Sequence, residues 1–277
     1  PGNGTSTIAR NAVRRAEALA RHYRVTIVSG GFLPDFPPSI GSVQVPVPDL
    51  RILRRFCHVP NEVTFALGVR RALGNPQESA PVSFVLCHGY SLAYFVGRYF
   101  RKERDVPFGM VMHGHIFERP RGTYDARVTA YYRAIAPACY READLVVALS
   151  PDLARLAGTR GSPAERVLVA PNGIDLGDLG LRRPLPARRP LAGNEGPIRL
   201  LYVGRSGVEK GVNVLLDACA RLRERQVPFH LDLVGPDRDF ARTRRDLPEL
   251  SIAGAAEHRG LLPRRELRPP SLRPVGL

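Results

Sequence analysis

The chain has 277 residues, 44% of them hydrophobic, which is enough to bury one large or two modest α/β cores. Its 41 basic and 26 acidic residues give a formal net charge of +15, which favours an anionic partner such as a nucleic acid, a membrane surface or a phosphorylated substrate. Four scattered cysteines without a C-x-x-C pair, and no apolar run of membrane-spanning length, argue against a disulfide framework, a zinc finger and a transmembrane protein.

The positive charge is spread along the chain and builds no recognisable nucleic-acid motif, so we expect no specific nucleic acid partner. A composition biased to arginine explains the same charge, since Lys102 and Lys210 are the only lysines. Isolated cysteines and the lack of a visible signal peptide predict a cytoplasmic protein. The chain opens at Pro1 rather than methionine, so we expect the natural start to lie upstream.

A glycine-rich start, P-G-N-G-T-S-T, precedes a helix whose apolar positions include Ile8, Ala12, Ala16 and Leu19. Strand-like apolar runs then alternate with helical stretches, which predicts parallel βαβ units and a doubly wound sheet. The predicted strands are 25–29, 82–87, 108–113, 145–149 and 167–170. Four helices are predicted between them: one that ends at 73, one over 91–103, one over 124–143 that is interrupted at Pro137, and a short one after Ser150. A Pro-rich loop over 30–60 is expected to line an acceptor cleft.

A histidine pair, His113 and His115, stands where the apolar run 108–112 ends, at the carboxyl end of the predicted strand, where α/β sites collect. The H-x-H spacing with Glu118 nearby could seat zinc in a hydrolase, although no further clustered ligands follow. Capping or core packing is the plain alternative. His88 follows the preceding strand and is interpreted as structural.

A turn signal closes the first half of the chain. Pro171 fixes φ and Asn172-Gly173 favours a tight turn, so the chain can leave the first sheet here. The Pro/Arg/Gly-rich stretch after it predicts a linker. We therefore divide the chain into a first domain at 1–176, a linker at 177–197 and a second domain at 198–277.

The second domain opens with a strand, a polar loop and a helix. The apolar run at 200–203 stops at Gly204, and apolar residues recur at helical spacing after Gly211. A helix start at the carboxyl end of a strand suits an anion, and Arg205 and Lys210 add two positive charges there. The glycine spacing matches neither the P-loop nor the dinucleotide fingerprint, so an ordinary solvated loop remains the alternative.

Five motifs in this order resemble family 4 glycosyltransferases, retaining nucleotide-sugar enzymes of the GT-B fold. They are the glycine-rich start, the strand leading to His113, A-D-L-V-V-A-L-S, P-N-G-I-D and G-R-S-G-V-E-K-G. The resemblance implies an α/β, GT-B-like architecture of two Rossmann-type doubly wound domains, an acceptor-side domain followed by a donor-binding domain that is incomplete here.

The resemblance also implies roles for single residues. Arg205 and Lys210 would grip the diphosphate of a nucleotide-sugar donor without a metal or cofactor, and His113 would position the donor sugar. Gly4 would let the backbone approach the donor phosphate, and Gly235 matches a glycine of the donor domain. The implied reaction transfers the sugar with retention to a hydroxyl acceptor, lipid-linked or glycan.

The match ends after Leu267, where relatives continue, so we expect a truncation or frame change there and poor catalysis by this chain. A D-x-D at 237–239 and an E-x7-E pair at Glu249 and Glu257 stand in the wrong context for a metal or donor site. Basic helices of the first domain, with Arg10, Arg14, Arg98, Arg101 and Lys102, predict a peripheral contact with an anionic membrane. Two alternatives stay open: a metal-dependent hydrolase using His113 and His115, and a non-catalytic remnant that binds anionic surfaces.

Overall fold

The computed structural model divides the chain into two compact units, Pro1–Gly173 and Ile174–Leu277. The residues it describes are 7–30, 36, 38–45, 61–73, 81–114, 126–173, 196–205, 210–235 and 256–258. No helix within those ranges is both long and apolar enough to cross a lipid bilayer.

The first unit alternates short strands with helices. Its strands are β1 (Val25–Ser29), β2 (Ile40–Gln44), β3 (Val85–His88), β4 (Phe108–Met112), β5 (Leu145–Ala148) and β6 (Val167–Val169). Its helices are α1 (Thr7–Leu19), α2 (Asn61–Leu73), α3 (Tyr90–Leu92), α4 (Arg98–Arg104), α5 (Ala126–Glu142) and α6 (Pro151–Thr159), with a π-helical segment at Ala93–Gly97 and a 3-10 turn at Ala164–Arg166. This is the βαβ alternation that the apolar runs predict.

Every strand pairing described in this unit is parallel. β1 pairs with β2, and a second sheet has the order β3-β4-β5-β6. Because parallel strands end at the same edge of a sheet, the residues that follow β3 and β4 meet there.

The core of the first unit centres on β4, whose five residues are all buried. A strand that is apolar on both faces is typical of a parallel sheet covered by helices on both sides. From α5, Ile135, Cys139 and Tyr140 join the cluster that contains β4. A second cluster joins Val28 of β1 and Val43 of β2 to α2 and the π-helical segment.

Two polar side chains fix the ends of these elements. The Asp144 carboxylate accepts a hydrogen bond from the Phe108 N–H at 3.0 Å, and the Asp144 N–H donates to the Phe108 carbonyl at 2.9 Å. The A-D motif thus ties the start of β5 to the start of β4. Ser150 caps α6, because its hydroxyl accepts from the Leu153 N–H at 3.3 Å.

Two expectations about this unit are wrong. The segment 30–60 is not one long loop, since β2 lies within it and pairs with β1. Three of the five β2 residues are exposed, so the strand carries no apolar run to reveal it. The second error concerns Pro137, which does not interrupt α5. The carbonyl that loses its N–H partner belongs to exposed Arg133, where solvent can reach that turn.

The second unit contains β7 (Ile198–Val203), α7 (Val212–Glu224), β8 (Phe229–Val234) and β9 (Ala256–His258). The strands pair in parallel in the order β7-β8-β9. Helix α7 covers one face of this sheet, where Val212, Leu216 and Cys219 join a cluster with Leu231 and Leu233. On the opposite face β7 leaves Leu201 and Val203 more than half exposed, at 54% and 56%.

Candidate active site

Two histidines meet at the carboxyl edge of the first unit's larger sheet. His88 is the last residue of β3, and His113 follows the last residue of β4. The Nδ1 atom of His88 lies 3.1 Å from the Nε2 atom of His113, and the two rings stack with centroids 5.2 Å apart. The structure therefore places the predicted His113 at a sheet edge and gives it an imidazole partner.

The surroundings of this pair keep both rings neutral at pH 7. Burial, the neighbouring His113 and the Arg15 charge lower the pKa of His88 to about 4. Burial and Arg15 likewise lower the pKa of His113. In a neutral pair one ring donates its N–H and the other accepts, and the second nitrogen of each ring makes no hydrogen bond within the described residues. These nitrogens can donate to or accept from a substrate hydroxyl.

A network of buried hydroxyls supports the segment behind His88. Gly89 has φ +108°, a conformation that L side chains rarely adopt, so glycine turns the chain from β3 into α3. The hydroxyls of Tyr90 and Tyr140 lie 2.6 Å apart, and the Tyr131 hydroxyl donates to Ser91 Oγ at 3.1 Å. These contacts anchor α3, which follows His88 in the chain, to α5.

The other predicted groups of the first domain, Gly4, His115 and Glu118, lie outside the described residues. Within the described ranges, the group able to hold a metal ion is instead on β8 and β9. His230, Asp232 and Glu257 bring ligand atoms within 4.8 Å of one another. Arg199 Nη2 lies 3.3 Å from the Asp232 carboxylate, so an ion pair also contributes to this cluster.

The second unit has its own edge at the carboxyl ends of β7 and β8. Gly204 follows β7 and donates its N–H to the Val234 carbonyl at 2.9 Å, and buried Gly235 follows Val234. Arg205 is exposed beside them, and its backbone carbonyl accepts from the Tyr202 hydroxyl at 2.6 Å. The structure therefore brings the predicted Arg205 and Gly235 to the same edge.

Lys210 lies at the start of α7, beyond residues 206–209, which fall outside the described ranges. It is exposed, and Gly211, the N-cap residue of α7, has φ +70°. A 13-residue helix thus begins next to Lys210, and no side chain of the described residues caps its positive dipole end. An exposed cation at such a helix start suits an anionic ligand.

The sequence pattern of the glycosyl transferase 4-like domain matches residues 6–173, which is more than half of the chain. The chain belongs to the glycosyl transferase 4-like family. Over 165 residues it is 30% identical to a glycogen synthase of Mycobacterium tuberculosis, a match that spans 57% of this chain and 38% of the synthase. The chain thus spans well under half of that relative's length.

Solved structures show the same fold. A sucrose-phosphate synthase from Thermosynechococcus elongatus aligns with a TM-score of 0.67 at 17% identity, over 95% of this chain and 67% of its own. Anabaena HepE, solved in complex with UDP and glucose, aligns with a TM-score of 0.59 at 15% identity, over 95% of this chain and 68% of its own. The predicted family and the GT-B-like α/β fold are confirmed.

The contact of His88 with His113 was not predicted from the sequence of this glycosyl transferase 4-like chain, in which His88 was interpreted as structural. The rule that selected His113, a polar residue at the carboxyl end of a parallel strand, applies equally to His88. The effect of Arg15, whose charge lowers the pKa of both histidines, was not predicted either, although Arg15 is a cation on a helix face that is otherwise apolar.

Proposed function

We propose that this protein is a glycosyltransferase that transfers a sugar from a nucleotide-diphosphate sugar to a hydroxyl acceptor with retention of anomeric configuration. Membership of the glycosyl transferase 4-like family and a fold shared with a UDP-bound enzyme support it. The observation that carries the proposal is the edge of the second unit, where Arg205 and Gly235 lie together and Lys210 stands at the start of α7. We assign acceptor binding to residues 1–176 and donor binding to residues 198–277, with residues 177–197 as the linker in the chain between them.

In this mechanism the protein stabilises the departing diphosphate electrostatically. As the anomeric C–O bond breaks, negative charge grows on the leaving phosphate, and Arg205 and Lys210 lie on the unit that would receive it. Charge that develops in the transition state strengthens these contacts, which lowers the barrier without a metal ion or a cofactor. A neutral His113 would hold a sugar hydroxyl by a hydrogen bond.

The decisive test is the affinity for UDP. Arg205→Ala is expected to weaken UDP binding by about 1.5–3 kcal/mol, the range for a hydrogen bond to a charged group, and Lys210→Ala by a similar amount. Isothermal titration calorimetry measures both. Arg223→Ala is the matched control, since it removes an exposed arginine from the far end of α7. A folded Arg205→Ala variant that binds UDP like the wild type would place the diphosphate elsewhere.

We further propose that the protein works in the cytoplasm as a peripheral protein on an anionic membrane face. The buried thiols of Cys87, Cys139 and Cys219 are unpaired, as expected in a reducing compartment. A groove between α2 and α4 combines cations with aromatic rings and is lined by Arg70, Tyr94, Phe95, Arg98, Tyr99, Lys102 and Glu103. Such a surface suits the headgroup region of a bilayer, where aromatic rings and cations both bind.

A further inference from the structure

In the second unit, the face of the sheet opposite α7 carries an imidazole and two carboxylates on neighbouring strands. Successive side chains of a strand point to opposite faces. Leu231 packs against α7, so His230 and Asp232, its neighbours in β8, point to the other face. Glu257 of β9 is the register partner of Asp232 and stands on the same face. Strand pairing, rather than the spacing from Glu249, therefore brings Glu257 into this group.

The ligand atoms of these three side chains are close enough to share one metal ion. The Nε2 atom of His230 lies 3.2 Å from Oδ1 of Asp232 and 4.0 Å from Oε2 of Glu257. Two ligands held by zinc at about 2.1 Å with tetrahedral angles are about 3.4 Å apart. The first distance already fits this spacing, and the exposed side chain of Glu257 can rotate to shorten the second.

Arg199 of β7 contacts the other oxygen of Asp232. Its Nη2 atom lies 3.3 Å from Oδ2, whereas His230 contacts Oδ1. The ion pair and a metal ion therefore use different oxygens of one carboxylate. Outer partners of this kind orient metal ligands in proteins. Asp232 is only 8% exposed, so burial and the Arg199 contact both restrict its side chain.

Charge and access also suit a cation at this position. Like charges directly opposite each other on neighbouring strands repel, and a divalent cation between Asp232 and Glu257 removes that repulsion. The side chains of His230 and Glu257 are 35% and 56% exposed, so an ion can reach them from solvent and water can complete its coordination. Imidazole nitrogen and carboxylate oxygen both suit Zn²⁺, which binds such ligands more tightly than Mn²⁺ does.

We propose that His230, Asp232 and Glu257 form a site for a divalent transition-metal ion, best fitted by Zn²⁺, and that the ion ties β9 to β8. β9 is only three residues long, so a metal bridge adds substantially to its strand pairing. The inference goes beyond the proposed sugar transfer, which takes no step from this site. An ion that binds the folded chain and not the unfolded one stabilises the fold.

Isothermal titration calorimetry of the chelator-treated protein with Zn²⁺ tests the site. The wild type is expected to bind Zn²⁺, and Glu257→Gln is expected to weaken binding about tenfold or more, since even the loss of an outer partner costs about 10–100-fold. Glu257 is exposed, so this variant keeps the fold. Glu224→Gln changes an exposed glutamate of α7 and is the matched control, expected within about twofold of the wild type. A wild type that does not bind Zn²⁺ overturns the proposal.

Histidine variants separate this site from the histidines of the first unit. His230→Gln is expected to weaken Zn²⁺ binding about tenfold or more, whereas His22→Gln and His113→Gln are expected to leave it within about twofold. If Zn²⁺ binds His230→Gln and Glu257→Gln as tightly as the wild type, the ion lies elsewhere and the proposal fails.

Thermal unfolding tests the tie between the strands. Zn²⁺ is expected to raise the Tm of the wild type by a few degrees and to leave that of Glu257→Gln nearly unchanged at the same concentration. Zn²⁺ binding that leaves the Tm of the wild type unchanged contradicts the stabilising role. None of these outcomes depends on the affinity for UDP, so the metal site and the proposed function are tested separately.

Discussion

At the scale of single residues, the burial of His88 makes the stability of the protein depend on pH. Its pKa in the folded state is about 4, below the ordinary 6.5. Between these two values the unfolded chain binds more protons, so the free energy of unfolding falls as the pH drops from about 6.5 to about 4. Above that window both states are neutral and the stabilising contribution is complete.

His88→Gln is therefore expected to lose less stability than the wild type between pH 7 and pH 4.5, because it lacks the group that must be kept neutral. Urea unfolding followed by circular dichroism at both pH values measures this difference. His22→Gln, which changes an exposed histidine, is the matched control and should follow the wild type. Equal losses in the His88 variant and the wild type would show that His88 is not the titrating group.

The histidine edge also shows which part of a site can be predicted from sequence. Apolar runs locate the ends of β3 and β4, so the placement of His113 at a sheet edge could be predicted. The contact with His88 depends on the register that sets Cys87 opposite Met110, and register is a property of two strands rather than of either one. The burial of the Arg15 Nη1 atom is likewise a property of the folded chain that the helical pattern of α1 does not reveal.

At the scale of elements, the π-helical segment Ala93–Gly97 packs against β4 with no room to spare. A Cβ added at Gly97 would lie 2.4 Å from Cδ2 of Phe108, a side chain that is itself fully buried. Gly97→Ala is therefore expected to destabilise the protein by about 1–3 kcal/mol through overpacking, measured by urea unfolding.

Gly158 provides the contrast for this prediction. It lies in α6, and an added Cβ meets no atom within 4 Å. Gly158→Ala is expected to be neutral or to stabilise the protein by up to about 1 kcal/mol, since alanine has the higher helix propensity. If both alanine variants shift the urea midpoint alike, packing against Phe108 is not what requires a glycine at 97.

The elements that could be predicted are those with an apolar run or a helical period. β4 and β7 carry such runs and lie where they were predicted, and α7 follows its apolar period. β2 and β9 are short and largely exposed or charged, so local pattern has nothing to mark them. Their strand character comes from pairing with β1 and β8.

At the scale of the whole molecule, the net charge is +15, and part of the positive charge lies in one groove of the first unit. Arg70 stacks over the Tyr99 ring at 4.2 Å and Arg98 over the Tyr94 ring at 4.4 Å, with Lys102 beside them. Arg98 is largely buried and pairs with the Glu142 carboxylate at 2.8 Å, so Arg70 and Lys102 are the cations that this groove can present to a membrane.

Flotation with vesicles tests this surface. The protein is expected to float with vesicles that contain phosphatidylglycerol, to release at high salt, and to ignore neutral phosphatidylcholine vesicles. The double variant Arg70→Gln/Lys102→Gln should lose about 2 kcal/mol of binding, at about 1 kcal/mol for each cation. Arg221→Gln/Arg223→Gln removes two exposed arginines of the second unit and is the control. Equal flotation with neutral vesicles would contradict an electrostatic contact.

The exclusively parallel pairing of the described strands has a consequence for how this chain reaches its fold. A parallel pair cannot close through a tight hairpin, so the chain between the two strands must be looped across before the first ladder bond forms. The conformational entropy of that loop is lost before any contact compensates for it. Folding to the native state is therefore slow. During that search the apolar segments of β4 and β8 are accessible to other chains, and a cell that makes this protein must protect them until the sheets close.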